Sequence, residues 1–361
     1  MTESSISLGD LMQRLEAKGM LDEPALGRIK EYIRSADSRD STPWYIKGMI
    51  GIGAWVAALS FCQAIAMAEL LFRGPLSLCI WGLLLIGSAA TLQFLSRRVF
   101  VVQLALALSL AGHGLLLSGV LELSHYDPLS LPLAAALLCA ILYPIYEGSL
   151  HRFLSCFLVT VLFTNWCIQS GKYAGLHVLV LLEMVGTGLI LTDTVRLRAL
   201  RSLGYALAVS LPMTVFFAVM VGAGFLEGGS ATQGSAQMQW WPSSAMLALG
   251  LIWLYQWIAG GPRTLLREPL WPAVVATVIL GAISTPGVLA ALGLLVLGHA
   301  RGERALTGLG LVFFAVFLFL FYYDLNVSLM TKSLILTGSG AVLQSARWFL
   351  SRRPWAKEVA S

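Results

Sequence analysis

One carboxylate stands where hydrocarbon is expected. Glu183 is the tenth residue of the apolar stretch 174–192, with Gly186 and Thr187 three and four positions further on, along the same helical face. An ionisable side chain in mid-bilayer costs about 2.5–3.5 kcal/mol on insertion scales, so it marks a candidate site. Two roles fit such a carboxyl. It carries a proton or cation, its acidity tuned by burial, or it remains a neutral acid that donates one hydrogen bond across a helix seam. The glycine and threonine beside it admit a neighbouring helix at close range, which serves either role.

A second polar cluster runs from the end of one apolar stretch into the next: Tyr322, Tyr323, Asp324, Asn326, Thr331, Lys332 and Ser333. Helical side chains lean toward the N-terminus, so Lys332 can reach back toward the interface instead of sitting unpaired in lipid. Its pairing with Asp324 requires the aspartate to lie off the helix end, because eight residues on an ideal helix leave the two about 80° apart. The cluster reads either as a latch between two helices or as part of an outward-facing pocket for a ligand or ion, with Tyr323 and Asn326 among its polar groups. His113, between Gly112 and Gly114, is a third candidate, for an interhelical hydrogen bond, with the glycines admitting the partner helix.

Other chemistry is absent or incomplete. His113, His125, His151, His177 and His299 form no i,i+4 pair and no H-E-x-x-H occurs, so no metal site is expected. Gly338-Ser339-Gly340 lacks the context of an intramembrane serine protease, with only the distant His113 as base. Tyr323-Asp324 matches half of an intramembrane aspartyl protease pattern, and a second membrane-embedded aspartate to share the proton is missing. There is neither a P-loop nor a dinucleotide-type glycine loop. No catalytic residue and no cofactor are expected, and any work done must draw on an ion gradient or a partner. Cys62, Cys79, Cys139, Cys156 and Cys167 all fall in apolar runs and read as small buried hydrophobes.

The elements that must position these residues follow from composition. Of 361 residues, 57% are hydrophobic and 12% charged, about half the charged share of a soluble domain. A spanning helix needs about 20 apolar residues. Twelve stretches approach that length: 48–71, 76–95, 99–121, 129–146, 150–169, 174–192, 203–226, 243–260, 269–284, 286–300, 305–323 and 327–349. The sequence therefore predicts an all-α polytopic transmembrane helix bundle of about 12 spans. The two shortest, at 269–300, offer an alternative of 10 spans plus a re-entrant hairpin broken at Ser284-Thr285-Pro286-Gly287.

Basic residues mark alternate turns, at Arg97 and Arg98, Arg152, Arg196 to Arg201, Arg263 and Arg267, Arg301 and Arg304, and the C-terminal Arg352, Arg353 and Lys357. By the positive-inside rule these turns and both termini face the cytoplasm. Topology thus accounts for the net charge of +5, and no nucleic-acid partner is expected. Residues 1–43 carry leucines and isoleucines at helical spacing, with Gly19 as a stop for the first helix and Asp22 with Pro24 as a start signal for the second, so they predict a short cytosolic helical hairpin. Residues 44–350 form the membrane domain and 351–361 a basic cytosolic tail.

The run from Phe321 to Gly340, F-Y-Y-D-L-N-V-S-L-M-T-K-S-L-I-L-T-G-S-G, and the opening Ser41-Thr-Pro-Trp44-Tyr resemble an uncharacterised family of bacterial multi-pass inner-membrane proteins known only as a domain of unknown function. The resemblance implies a small membrane-anchored companion protein bearing a Gly-Asp-Tyr motif, on the outer face. It carries over no functional residue.

Two functions follow. One is a secondary transporter or flippase-like protein, for which a buried Glu183 and helices interrupted by Gly and Pro near 269–300 speak. The other is a non-transporting membrane subunit that organises the companion. An enclosed polar cavity at Glu183 would favour the first, a solid core the second.

Overall fold

A computed structural model describes residues 74–95, 99–146, 148–193, 197–222, 241–260 and 271–324, with separate helical positions between 49 and 64 and between 330 and 344. The N-terminal hairpin 1–43, the first stretch 48–71 and the last stretch 327–349 as continuous elements, the loop 227–240 and the tail 351–361 lie outside them. Every regular element among the described residues is a helix. In order they are α1 Pro75–Leu95, α2 Val99–Leu123, α3 Ser130–Ile145, α4 Ser149–Gln169, α5 Tyr173–Thr192, a single 3-10 turn Arg198–Leu200, α6 Arg201–Gly222, α7 Trp241–Ile258, α8 Trp271–Ile283, α9 Pro286–Arg301 and α10 Arg304–Asp324.

The helices are inside out by the standards of a water-soluble fold. Leu137, Leu182, Leu249 and Leu311 are each more than 60% exposed, whereas Glu183, Thr160, Thr164, Ser210 and Thr214 are buried. Lipid, not water, satisfies such an exterior. Among the described residues, five helices are long and apolar enough to cross a membrane: Pro75–Leu95, Phe100–Leu123, Ser149–Gln169, Tyr173–Thr192 and Arg198–Val221. Several others are apolar but short. At 1.5 Å per residue, α3 and α9 with 16 residues and α8 with 13 reach only about 24 and about 20 Å, against a hydrocarbon core of about 30 Å.

The chain divides into two compact units. One comprises Met1–Leu71, Gly87–Ala111 and Arg353–Ser361, the other Phe72–Ile86 and Gly112–Arg352. In the first, the described buried residues are Ala89, Ala105, Leu106, Ala107, Leu108 and Ser109.

The second unit holds the main core. α4 and α6 run parallel, since Thr160 meets Ser210 and Thr164 meets Thr214. α5 runs against α6, with Gly186 under Leu207 and Gly204 under Ile190 and Leu191. α7 runs beside α5 in the same direction, for Met184 covers Gly250 and Trp253 covers Gly188. α8 runs back along α7, with Gly281 beside Ala248 and Thr277 hydrogen-bonded to Tyr255. α9 then returns parallel to α7: Leu247 clusters with Val288 and Leu289, and Leu251 and Leu254 with Leu294 and Leu297.

The break between α8 and α9 lies at Ser284-Thr285, as Pro286 and Gly287 suggested. Pro286 occupies the first turn of α9, where its missing N–H is no loss. The limbs do not form a self-packed hairpin. α8 leans on α7, and α9 packs most closely on α10, where a Cβ at Gly298 would lie 2.6 Å from Thr307 N and one at Gly310 would lie 2.8 Å from Leu295 N. Gly302, at φ +65°, makes the turn between α9 and α10.

Candidate functional site

Glu183 has no solvent exposure. From α6, Thr214 Oγ1 donates to Glu183 Oε1 at 2.9 Å. The other carboxyl oxygen, Oε2, is buried with no hydrogen-bond partner. Gly186 admits α6 at one turn's distance, as its spacing from Glu183 implies, while Thr187 turns toward α7 and α9 with its hydroxyl buried and unpartnered.

Thr214 belongs to a ladder of buried hydroxyls. Thr164 Oγ1 lies 3.1 Å from Thr214 Oγ1, and Thr160 Oγ1 lies 2.5 Å from Ser210 Oγ. The ladder exists because each of two parallel helices contributes an i,i+4 pair on the facing side. Three of the hydroxyls also reach back to their own helix: Thr160 to Phe157 O, Thr164 to Thr160 O and Ser210 to Ala206 O. Between Ser210 and Thr214, Pro212 stands inside α6 and offers no N–H to the carbonyl of Ala208.

Two cavities flank the ladder. A groove of 580 Å³ runs among α3, α4, α5 and the start of α6, reaching Tyr143, Leu200 and Leu203 at the arginine-bearing end. Its wall is apolar apart from Glu183, Thr160, Tyr143, Cys139 and Cys156. The second cavity, of 380 Å³, lies between α4 and α6 and is lined by Thr164, Asn165, Ser210 and Thr214, extending to Ile168 near the far end of α4. Thr160 borders both. Glu183 borders the groove and Thr214 the second cavity, so the hydrogen bond between them lies in the partition.

Sequence reading missed several contacts within the bundle. Cys139 and Cys156, read as separate small hydrophobes, place their sulfurs 3.6 Å apart in the groove wall. His113 is buried on α2, with its ring edge-on to His151 at 5.7 Å, and His151 stacks on Tyr146 at 3.8 Å. Of its flanking glycines, Gly112 presses on the backbone of Gly82, while Gly114 has nothing within 4 Å. At the arginine-bearing end, Tyr205 donates to Glu303, Arg201 donates to Tyr205 at 3.0 Å, and Arg201 lies 3.6 Å from Glu303. Nothing in the spacing of those residues announced the contact.

The second sequence candidate is only partly in view. The main chain of α10 stays helical through Tyr323 and Asp324, its last residue. Asn326 and Lys332 lie outside the described residues.

Fold and site together define a multi-pass, all-helical membrane protein with a polar seam inside an apolar bundle. Residues 43–353 match the family model described as Domain of unknown function (DUF4401), and the chain belongs to that family. No curated protein matches the chain. No solved structure does either.

Proposed function

We propose that the chain is a flippase-like secondary transporter of the bacterial inner membrane, in which Glu183 is the polar foothold for an amphipathic, lipid-like cargo. The supporting observation is the groove. It is neither the enclosed polar cavity of a solute carrier nor a solid core: one buried carboxyl stands in a trough that is mostly apolar. Acyl chains suit such a wall, and a single acid suits a head group or a coupled ion.

The proposed topology has twelve spans with both termini cytoplasmic, α8 and α9 counted as two crossings because they run out and back along α7. The arginine-bearing turns then share the cytoplasmic side. The outer loop would meet the small membrane-anchored companion on the outer face.

The test is purified protein in liposomes holding a fluorescent short-chain phospholipid, with outer-leaflet dye quenched chemically. Wild type should expose inner-leaflet lipid to the quencher under an imposed pH gradient, and Glu183→Gln should not, at equal reconstituted protein. Equal flux in empty and protein-bearing vesicles would sink the transport reading and favour a subunit that organises its companion.

A further inference from the structure

Hydrogen counting in the ladder separates two protonation states of Glu183. Thr160, Thr164, Ser210 and Thr214 own one hydroxyl hydrogen each, yet their geometry draws six contacts: Thr160 to Phe157 O and to Ser210, Thr164 to Thr160 O and to Thr214, Ser210 to Ala206 O, and Thr214 to Glu183. The branch through Glu183 resolves in one of two ways. With an ionised carboxyl, Thr214 donates to Glu183 and Thr164 must donate to Thr214, which leaves the Thr160 carbonyl without its hydroxyl. With a neutral acid, Glu183 donates to Thr214, Thr214 to Thr164, and Thr164 to Thr160 O. Every hydrogen in that branch is then used once. The two states differ by reversal of the same hydroxyl chain.

We infer that the ion handled at Glu183 is a proton, and that Thr214 and Thr164 pass it between the carboxyl and the α4–α6 cavity. This inference rests on the transport reading and specifies its coupling ion. In the transfer, the Glu183 proton moves to Thr214 Oγ1, the Thr214 hydrogen moves to Thr164 Oγ1, and the Thr164 hydrogen passes to water or hydroxide entering the cavity. The carboxylate remains, both hydroxyls are restored with opposite orientation, and charge balances. The partition is one hydrogen bond thick here, because Glu183 lines the groove and Thr164 and Thr214 line the opposite cavity.

The chemistry around the acid also points to a proton rather than a metal ion. A hard cation requires about six oxygen ligands, and among the described residues Thr214 Oγ1 is the one oxygen in hydrogen-bond contact with the Glu183 carboxyl, whose Oε2 has no hydrogen-bond partner. The other titratable groups lining the groove with Glu183 are Cys139 and Tyr143 from α3 and Cys156 from α4. α6 contributes Thr214, and among the described residues neither cavity is lined by Asp, Lys, Arg or His.

Infrared difference spectra of the full chain in lipid nanodiscs, taken across a pH titration, test this. A protonated-carboxyl C=O band should disappear on alkalinisation in wild type and be missing from Glu183→Gln. Thr214→Val should shift that band and Thr214→Ser, which keeps the hydroxyl, should restore it. Thr164→Val should leave the band but slow its decay after a pH jump by tenfold or more. A band that is missing from wild type, or that ignores both Thr214→Val and Thr164→Val, overturns the inference. Lipid flux measured on the same variants separates the two ideas. A Glu183-dependent band with flux intact in Glu183→Gln keeps the proton chain and sinks the transport role. Flux lost in Glu183→Gln without any titrating band does the reverse.

Discussion

Tyr205 donates its phenol hydrogen to Glu303, ninety-eight residues further along the chain. The bond ties the first turn of α6 to the bend between α9 and α10, and Arg201 joins them at 3.6 Å from Glu303. Two arginine-bearing turns are thereby held at one end of the bundle. Reporter enzymes fused after Arg201 and after Gly302 should show the same sidedness, cytoplasmic in both cases. Opposite activities would break the proposed topology.

The same contact has a modest energetic weight. Arg201 is 55% exposed and Glu303 20%, so the ion pair itself contributes little. Tyr205→Phe removes a hydrogen bond to a carboxylate and should cost about 1–2 kcal/mol. Thermal unfolding in detergent, with Glu303→Gln and the double variant completing a cycle, should show that the two losses are not additive.

Glycines at helix crossings should be unequal. Gly298 and Gly310 face backbone atoms at 2.6 and 2.8 Å from an added Cβ, and backbone cannot swing aside. Gly298→Ala and Gly310→Ala should each destabilise by about 1–3 kcal/mol through overpacking. Gly308 and Gly114 have nothing within 4 Å. Alanine there should be neutral or raise the melting temperature, because it removes helix-interior glycine worth about 0.5–1 kcal/mol.

Thr187 offers a contrasting substitution. Its hydroxyl is buried without a partner beside a 360 Å³ apolar cavity among α5, α6, α7 and α9. Thr187→Val keeps the shape and removes an unsatisfied polar atom, so stability should rise by about 1 kcal/mol or stay level. A clear fall in melting temperature would show that the hydroxyl has a partner in the membrane.

Cys139 and Cys156, 3.6 Å apart, should join under a mild thiol oxidant, since a disulfide needs about 2 Å between sulfurs and only a small approach of α3 to α4. Maleimide counting by mass should find two fewer thiols after oxidation. Cys139→Ser should abolish the change. The link crosses the groove wall, so lipid flux should fall with it and return on reduction.

Much of this architecture was legible in the chain. The bounds of α1 to α10 fall within a few residues of the apolar stretches, because length and hydropathy decide a membrane helix almost alone. Glu183 and Gly186 announced themselves for the same reason: a charge or a gap is conspicuous against leucine. Thr160, Thr164, Ser210 and Thr214 did not, since a buried threonine that bonds its own helix looks identical in sequence to one that bonds a neighbour. A signal was present in retrospect. Two i,i+4 hydroxyl pairs share a constant offset of fifty residues, which is what two parallel helices in register would produce. His113 with His151, and Tyr205 with Glu303, carried no such signal, because their meeting depends on how whole helices pack.

The shortness of α3, α8 and α9 acts on the surroundings as well as on the protein. As crossings they leave about 6–10 Å of hydrocarbon unmatched, and a bilayer answers such a deficit by compressing and tilting its chains locally. The lipid annulus beside α3 and α8, as crossings, would be thinner than the sheet around it. With these helices as crossings, polar head groups from the two leaflets would stand closer together there, and the barrier between them would be lower before any side chain takes part.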